Sequence, residues 1–333
     1  MTLELAVAAA LFAGVVLYAV LGGADFGSGF FDLTAGGAHQ GAEVRTLVDH
    51  SIGPVWEANH VWLIFVLVTW WTGFPETFAA AMQTLFLPLI LALVGIVLRG
   101  ASFAFRKYAA TLRQARLFGA VFASSSVVTP FFLGCVAGAI ASGRVPADGE
   151  GDLVGSWTSP TSLFGGAIAV GTCAFLAGTF LTADARRAGR EELAGALSRR
   201  TLAVGMATGL VVFAALLPLR TDAPTLFEGL SGRGLPLMVV SAMAGSTTLL
   251  LLVTGRYALA RFTAVGAVGS VVLGWGLAQY PWLLVDEVTI TDGAGAPATL
   301  QGLLVAVAAA GVIVLPALGY LFRLTQSEAW SQQ

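Results

Sequence analysis

The 333-residue chain has few charged residues: Asp, Glu, Lys and Arg make up 11% of it, with 17 basic and 19 acidic side chains. So small a charged fraction excludes an ordinary soluble globular protein. A net charge of −2 provides no basic surface for nucleic acid. The two cysteines, Cys135 and Cys173, both lie in apolar runs, where a free thiol is usually a small packing residue. They indicate neither a disulfide nor a metal site.

Motifs of soluble enzymes are missing as well. We find no phosphate-binding loop, nucleotide fingerprint, zinc-ligand spacing or nucleophile elbow. A metal or haem site is also disfavoured. Of three histidines, only His60 falls inside an apolar run, and one imidazole on its own cannot ligate several haems. The sequence therefore predicts no metal site and no catalytic residue in this chain alone.

Hydrophobic residues are abundant, at 57% of the chain with a mean hydropathy of +0.84. They are gathered into blocks of about 20, the length that crosses ~30 Å of hydrocarbon. This pattern predicts an all-α polytopic membrane protein, with a single transmembrane domain over residues 1–333. Nine spans are expected, at about 4–22 (with a possible continuation to 34), 55–73, 77–98, 117–141, 161–182, 201–219, 235–254, 262–281 and 299–322. The first block lacks a basic region before it and a clear cleavage site after it, so we interpret it as a span rather than a signal peptide.

The basic residues alternate in number between successive loops, and such residues are retained on the cytoplasmic side. Three lie on one side: Arg144, Arg220 and Arg233. Fourteen lie on the other: Arg45, Arg99, Arg106, Lys107, Arg113, Arg116, Arg186, Arg187, Arg190, Arg199, Arg200, Arg256, Arg261 and Arg323. This asymmetry predicts an external N-terminus and a cytoplasmic C-terminus.

Two carboxylates, Asp25 and Glu57, stand in strongly apolar surroundings. A buried carboxylate costs several kcal/mol unless it is paired, hydrated or protonated, so each is a candidate functional residue. Asp25 follows Gly23 and precedes Gly27, and these two glycines have the spacing that favours close helix contact. The alternative is that Asp25 caps the cytoplasmic end of the first span among the lipid headgroups.

The second carboxylate belongs to a polar group at the start of the second span. Trp56, Glu57, Asn59 and His60 share adjacent parts of one helical face. The helix dipole stabilises the anion of Glu57 while burial favours its protonated form, a balance that suits a proton carrier. The alternative is an interfacial belt, in which Trp56 anchors at the headgroups, Glu57 is solvated, and Asn59 and His60 pack.

Because spans 1 and 2 are antiparallel neighbours, Asp25 and Glu57 are expected at the same membrane face, as a cytoplasmic proton path. Arg99 ends the third span. We expect it to extend to the cytoplasmic headgroups, with pairing to a carboxylate such as Glu57 as the alternative.

Three segments resemble one known family. Residues 22–27 (GGADFG), 53–63 (GPVWEANHVWL) and 98–99 (LR) are similar to subunit II of cytochrome bd-type quinol oxidases, and the resemblance extends over essentially the whole chain. It implies a nine-helix subunit, with two four-helix bundles and a peripheral helix, in a bacterial plasma membrane. His60 stands where some members have Gln.

The resemblance also implies a function that the residues alone do not. The chain would pair with a homologous subunit I that holds haems b and d, or b only, and the quinol site, in a complex that reduces O2 to water. Small accessory subunits and a structural quinone or lipid are further possibilities for such a complex. Glu57 matches an acidic position of the proton path, beside Trp56, and Asp25 matches the acid of the first motif. A proton-coupled transporter and a purely structural membrane scaffold are the alternatives from the residues alone.

Overall fold

The computed structural model describes residues 2–37, 41–52, 56–106 and 108–328, with their side chains except at 52, 56–58, 322 and 324–328. These residues form an almost wholly helical chain. The helices are α1 (Leu3–Leu17), α2 (Gly23–Leu33), α3 (Ala42–Ile52), α4 (Trp56–Gly73), α5 (Pro75–Thr84), α6 (Phe86–Arg106), α7 (Leu112–Ala141), α8 (Pro160–Arg187), α9 (Glu191–Asp222), α10 (Pro224–Ser231), α11 (Leu235–Val253), α12 (Tyr257–Gln279) and α13 (Pro297–Glu328). A π-helical segment, Tyr18–Gly22, joins α1 to α2, and strands β1 (Trp282–Leu284) and β2 (Val288–Thr289) form an antiparallel hairpin.

The prediction of an all-α polytopic membrane protein is confirmed. Within the described residues, eight helices are long and apolar enough to cross a membrane, and a ninth is counted if a bent pair is one span. That pair joins 59–73 to α5 at an angle of 119°. The first span runs from Leu3 to Leu33, so it includes the expected continuation past residue 22.

The third span differs from the predicted range of 77–98. Its long helix, α6, begins at Phe86 and continues to Arg106, while residues 75–84 form the separate helix α5. Pro88 explains the break, because proline has no N–H to donate to the carbonyl of Thr84. Hydropathy alone did not separate the two helices, since residues 77–98 contain no charged side chain.

The helices pack as two groups of four spans with one peripheral helix. The first group comprises α1–α2, α4, α6 and α7, and the second comprises α8, α9, α11 and α12. Helix α8 also packs on α2 and α7, which joins the groups, and α13 lies against α1 and α4. This arrangement places the close contact of α2 with α7 and α8 at the centre of the molecule.

The short helix α3 is held against this centre by its apolar face. Val44, Leu47 and Val48 are buried in a cluster that includes Phe31 of α2 and Leu181 of α8. Such an amphipathic helix of 11 residues cannot span a membrane, and it lies across the ends of α2 and α8.

Candidate functional site: a buried ion pair beside a π-helical turn

An ion pair between Asp25 of α2 and Arg99 of α6 lies in the interior of the first group. Nη2 of Arg99 is 2.8 Å from Oδ1 of Asp25, and the two side chains are 2% and 1% exposed. The same Nη2 also donates to the main-chain carbonyl of Asp25 at 3.2 Å. A charge in such surroundings costs several kcal/mol when it is alone, so each group requires the other.

Side chains of α2 and α7 also contact the guanidinium. Nε of Arg99 donates to Oγ of Ser126 on α7 at 3.0 Å. The guanidinium carbon lies 4.9 Å from the ring centroid of Phe26 and 5.1 Å from that of Phe122, within the range of a cation–π interaction. Arg99 is therefore fixed on several sides.

Glycines in α2 allow the close approach that this geometry needs. A Cβ atom at Gly27 would lie 1.8 Å from the carbonyl oxygen of Cys173 on α8, and one at Gly29 would lie 2.2 Å from Cβ of Ser126. Gly23 also faces Cys173, with its Sγ 3.4 Å from the corresponding position. Both Gly23 and Gly27 thus contact α8, as the spacing of small residues favours.

The π-helical segment lies one turn before Asp25. Its Leu21 carbonyl accepts a hydrogen bond from Nδ2 of Asn59 on α4, at 3.3 Å. His60, next to Asn59, packs edge-on against Tyr18 and Phe26, with ring centroids 6.3 and 5.7 Å apart. The polar face of α4, formed here by Asn59 and His60, therefore contacts the first span beside the ion pair. π-helical turns are frequent at functional sites.

The predicted site residues are only partly brought together. Asp25, Arg99, Asn59 and His60 belong to one cluster of contacts. Helix α4 includes Trp56 and Glu57 in its first turn, but their side chains lie outside the described residues. The expected proximity of Glu57 to Asp25 therefore stays a prediction.

Two interpretations from the sequence are wrong. Arg99 does not extend to the headgroups, because its side chain is 2% exposed and paired. Asp25 does not cap the end of the span, because α2 continues for eight residues to Leu33. The physical reason is the same in both cases: each charge finds its partner inside the protein, where solvation by headgroups is not needed.

Two further charged clusters, around Asp32 and around Asp184, were not predicted. Asp32 of α2, which is 3% exposed, binds Nε of Arg45 at 2.8 Å and Nη1 of Arg106 at 2.9 Å. Oγ of Ser51 donates to Asp184 of α8 at 3.2 Å, and Arg187 and Arg261 lie 3.8 Å from the same carboxylate. These bonds fasten both ends of α3. In the sequence, these residues fall at the ends of apolar runs, where charge is ordinary.

A cavity of about 800 Å3 lies between the two groups of helices. It is lined mostly by apolar residues of the first span and of α7, α8, α9, α11 and α12, with Thr172, Thr208 and Ser241 among its few polar residues. Tyr18, Gly23 and Phe26 form part of its wall, so it reaches the surroundings of the ion pair.

Comparison with known proteins supports one family throughout. A model described as cytochrome bd terminal oxidase subunit II matches residues 3–325. The chain is similar to a structure of the bd oxidase from Geobacillus thermodenitrificans, with a TM-score of 0.82 and 27% identity over 98% of this chain and 100% of that chain.

Two curated relatives match parts of the chain. Cytochrome bd ubiquinol oxidase subunit 2 of Bacillus subtilis (strain 168) is 30% identical over 161 residues, 47% of this chain and 46% of that protein. Cytochrome bd-I ubiquinol oxidase subunit 2 of Escherichia coli (strain K12) is 29% identical over 210 residues, 60% of this chain and 52% of that protein. The chain thus spans about half the length of the curated relatives it matches. Because the family model extends over nearly its whole length, this chain belongs to the cytochrome bd terminal oxidase subunit II family.

Proposed function

We propose that this chain is subunit II of a quinol:oxygen oxidoreductase, pairs with a haem-bearing subunit I, and supplies part of the path that brings protons for the reduction of O2 to water. The observation that carries the proposal is the buried Asp25–Arg99 pair, in a chain of this family, beside the polar face of α4. A structural scaffold alone would not need a carboxylate at this depth.

Within this path, Asp25 has one carboxylate oxygen that is available to water. Oδ1 is bound by Arg99, whereas Oδ2 is buried without a hydrogen-bond partner among the described residues. Because Arg99 occupies only Oδ1, the lone pairs of Oδ2 can accept a hydrogen bond from a water molecule that carries a proton along the path. We assign to Glu57 the exchange of protons with the cytoplasm, and to Trp56, Asn59 and His60 its support.

The cytoplasmic origin of these protons depends on orientation. We propose an external N-terminus and a cytoplasmic C-terminus in a bacterial plasma membrane, because the basic residues are so unequally divided between the two sides. Helix α3, with its Arg45, would then lie at the cytoplasmic surface. Arg106 of α6, which pairs with the same Asp32 as Arg45, would lie there too. A proton-coupled transporter is not favoured, since the family model and the similar structure both point to an oxidase.

The haems, b and d or b only, are assigned to the partner. The described histidines of this chain do not fit a haem: Nδ1 of His50 is 2.8 Å from the carbonyl of Thr46, His60 packs on Tyr18 and Phe26, and neither lines the cavity. The cavity itself suits the chain of a structural quinone or a lipid, because it has a volume of about 800 Å3, is mostly apolar and is set between helices. Small accessory subunits would complete such a complex.

The assignment is tested by purification. We expect the tagged chain, taken from native membranes in mild detergent, to bring with it a larger polypeptide whose reduced-minus-oxidised visible spectrum has haem bands. A colourless preparation without a second polypeptide would contradict the oxidase assignment.

The proton path is tested by Glu57→Gln. This change keeps the shape of the side chain and removes its exchangeable proton, so we expect oxygen consumption to fall about tenfold or more while haem content stays unchanged. Glu76→Gln is the matched control, because Glu76 is an exposed carboxylate in the first turn of α5. Full oxygen consumption by the purified Glu57→Gln complex would remove Glu57 from the path.

A further inference from the structure

Phe26 contacts both the Asp25–Arg99 ion pair and the polar face of α4, so it is the shared contact between them. Its ring lies 4.9 Å from the guanidinium carbon of Arg99 and 5.7 Å from the ring of His60, and the residue is 2% exposed. A phenyl ring neither donates nor accepts a proton in this setting. A proton that moves from α4 to Asp25 therefore needs a polar group that bypasses Phe26.

Tyr18 stands beside this ring. Its own ring lies 6.4 Å from that of Phe26 and 6.3 Å from that of His60, so it packs against both the shared contact and the α4 side. The charges of Asp25 and Arg99 both act on it. Its hydroxyl oxygen is buried and has no hydrogen-bond partner among the described residues.

Two further buried oxygens in this region share that property: Oδ2 of Asp25 and Oδ1 of Asn59. Buried polar atoms of native proteins are almost always hydrogen-bonded, and those without a protein partner bind ordered water. Both of these oxygens only accept hydrogen bonds, whereas a tyrosine hydroxyl both donates and accepts. Water can therefore join the hydroxyl to an acceptor on either side.

The local chain is built to hold Tyr18 here. The residue opens the π-helical segment, whose Leu21 carbonyl is bound by Asn59. Gly22 leaves the space that the ring occupies, because a Cβ atom there would lie 2.8 Å from a ring carbon of Tyr18. The π-helical turn, the glycine and the bound asparagine thus fix one aromatic ring between two helices.

We infer that the Tyr18 hydroxyl is a proton relay, linked by ordered water to Asn59 on the α4 side and to Oδ2 of Asp25 on the other. The inference rests on the proposed function. In each transfer, Oη accepts a proton from the water on the α4 side and releases its own proton to the water at Asp25. The hydroxyl returns to its starting state when it rotates, so no net charge remains on it.

The test is Tyr18→Phe, which removes only the hydroxyl and keeps the ring contacts. We expect oxygen consumption to fall about tenfold, with an unchanged quinol KM, unchanged haem bands and a larger solvent deuterium isotope effect. Tyr18→His restores a ring that accepts a proton at one nitrogen and releases one from the other, and we expect it to retain several-fold more activity than Tyr18→Phe. Tyr320→Phe is the control, because Tyr320 is 64% exposed on α13.

Each other outcome counts against the relay. If Tyr18→Phe has the wild-type rate while Glu57→Gln is slow, the relay is overturned and the proposed function stands. If both variants have the wild-type rate, the proton path through this chain is overturned as well. If Tyr18→Phe and Tyr18→His are equally slow, or if Tyr18→Phe loses its haems, the residue serves packing and the relay is overturned.

Discussion

Removal of one member of the Asp25–Arg99 pair is expected to cost more stability than removal of both. Arg99→Gln leaves a carboxylate buried without a countercharge, and Asp25→Asn leaves a buried guanidinium, so each single change should destabilise the chain by about 3–5 kcal/mol. In the double variant, two neutral amides can hydrogen-bond at the same site. We therefore expect the double variant to recover most of the loss, as measured by complex yield and thermal unfolding in detergent.

A second ion pair provides the control for this experiment. Arg144, which follows the end of α7, is paired with Asp222 at the end of α9, but the Arg144 side chain is 41% exposed. Arg144→Gln should cost less than about 1 kcal/mol, since exposed pairs contribute little. Strictly additive losses at Asp25 and Arg99 would contradict the pairing. The recovered double variant also separates folding from chemistry, because it is assembled but lacks the carboxylate of the proposed path.

The second large effect is expected at Gly27. Alanine there places Cβ 1.8 Å from the carbonyl oxygen of Cys173 and 2.2 Å from the carbonyl carbon, and backbone atoms of α8 cannot yield as a side-chain end can. Helices α2 and α8 must separate, and the two groups of spans meet at this contact. We expect the free energy of unfolding to fall by about 1–3 kcal/mol or more, and little complex to assemble.

Gly269→Ala is the matched control for Gly27→Ala. It lies within α12, and a Cβ atom there meets nothing within 4 Å. Alanine in a helix interior is favoured over glycine by up to about 1 kcal/mol, so the control should be neutral or more stable. Equal complex yields from the two variants would mean that α2 and α8 do not need this close approach.

Hydropathy predicted the fold well because the membrane imposes it. Each span must satisfy its own backbone hydrogen bonds, so a run of about 20 apolar residues leaves few alternatives to a helix. The boundary at Phe86 was missed because the break depends on the single N–H that Pro88 lacks, which does not change hydropathy. The break between α5 and α6 is thus a matter of local stereochemistry that hydropathy does not detect.

The candidate site was predicted only where charge stands out. Asp25 is conspicuous because it lies in an apolar run, but its partner depends on which helices pack together. Arg99 follows an apolar run as many interfacial arginines do, so its burial is a property of tertiary packing. Tyr18 gave no signal at all, since an aromatic residue in a membrane span is ordinary and only its buried hydroxyl distinguishes it.

The π-helical segment also affects how the chain should be compared with its relatives. A π-helical turn is an α-helix that has absorbed one additional residue, while the helix on each side keeps its direction. A relative that lacks one residue between the positions of Leu17 and Gly23 would therefore continue as a regular α-helix and still face its acid toward the arginine. A single-residue gap in this membrane span would mark a difference in helix winding, and the residues after it would remain equivalent in space.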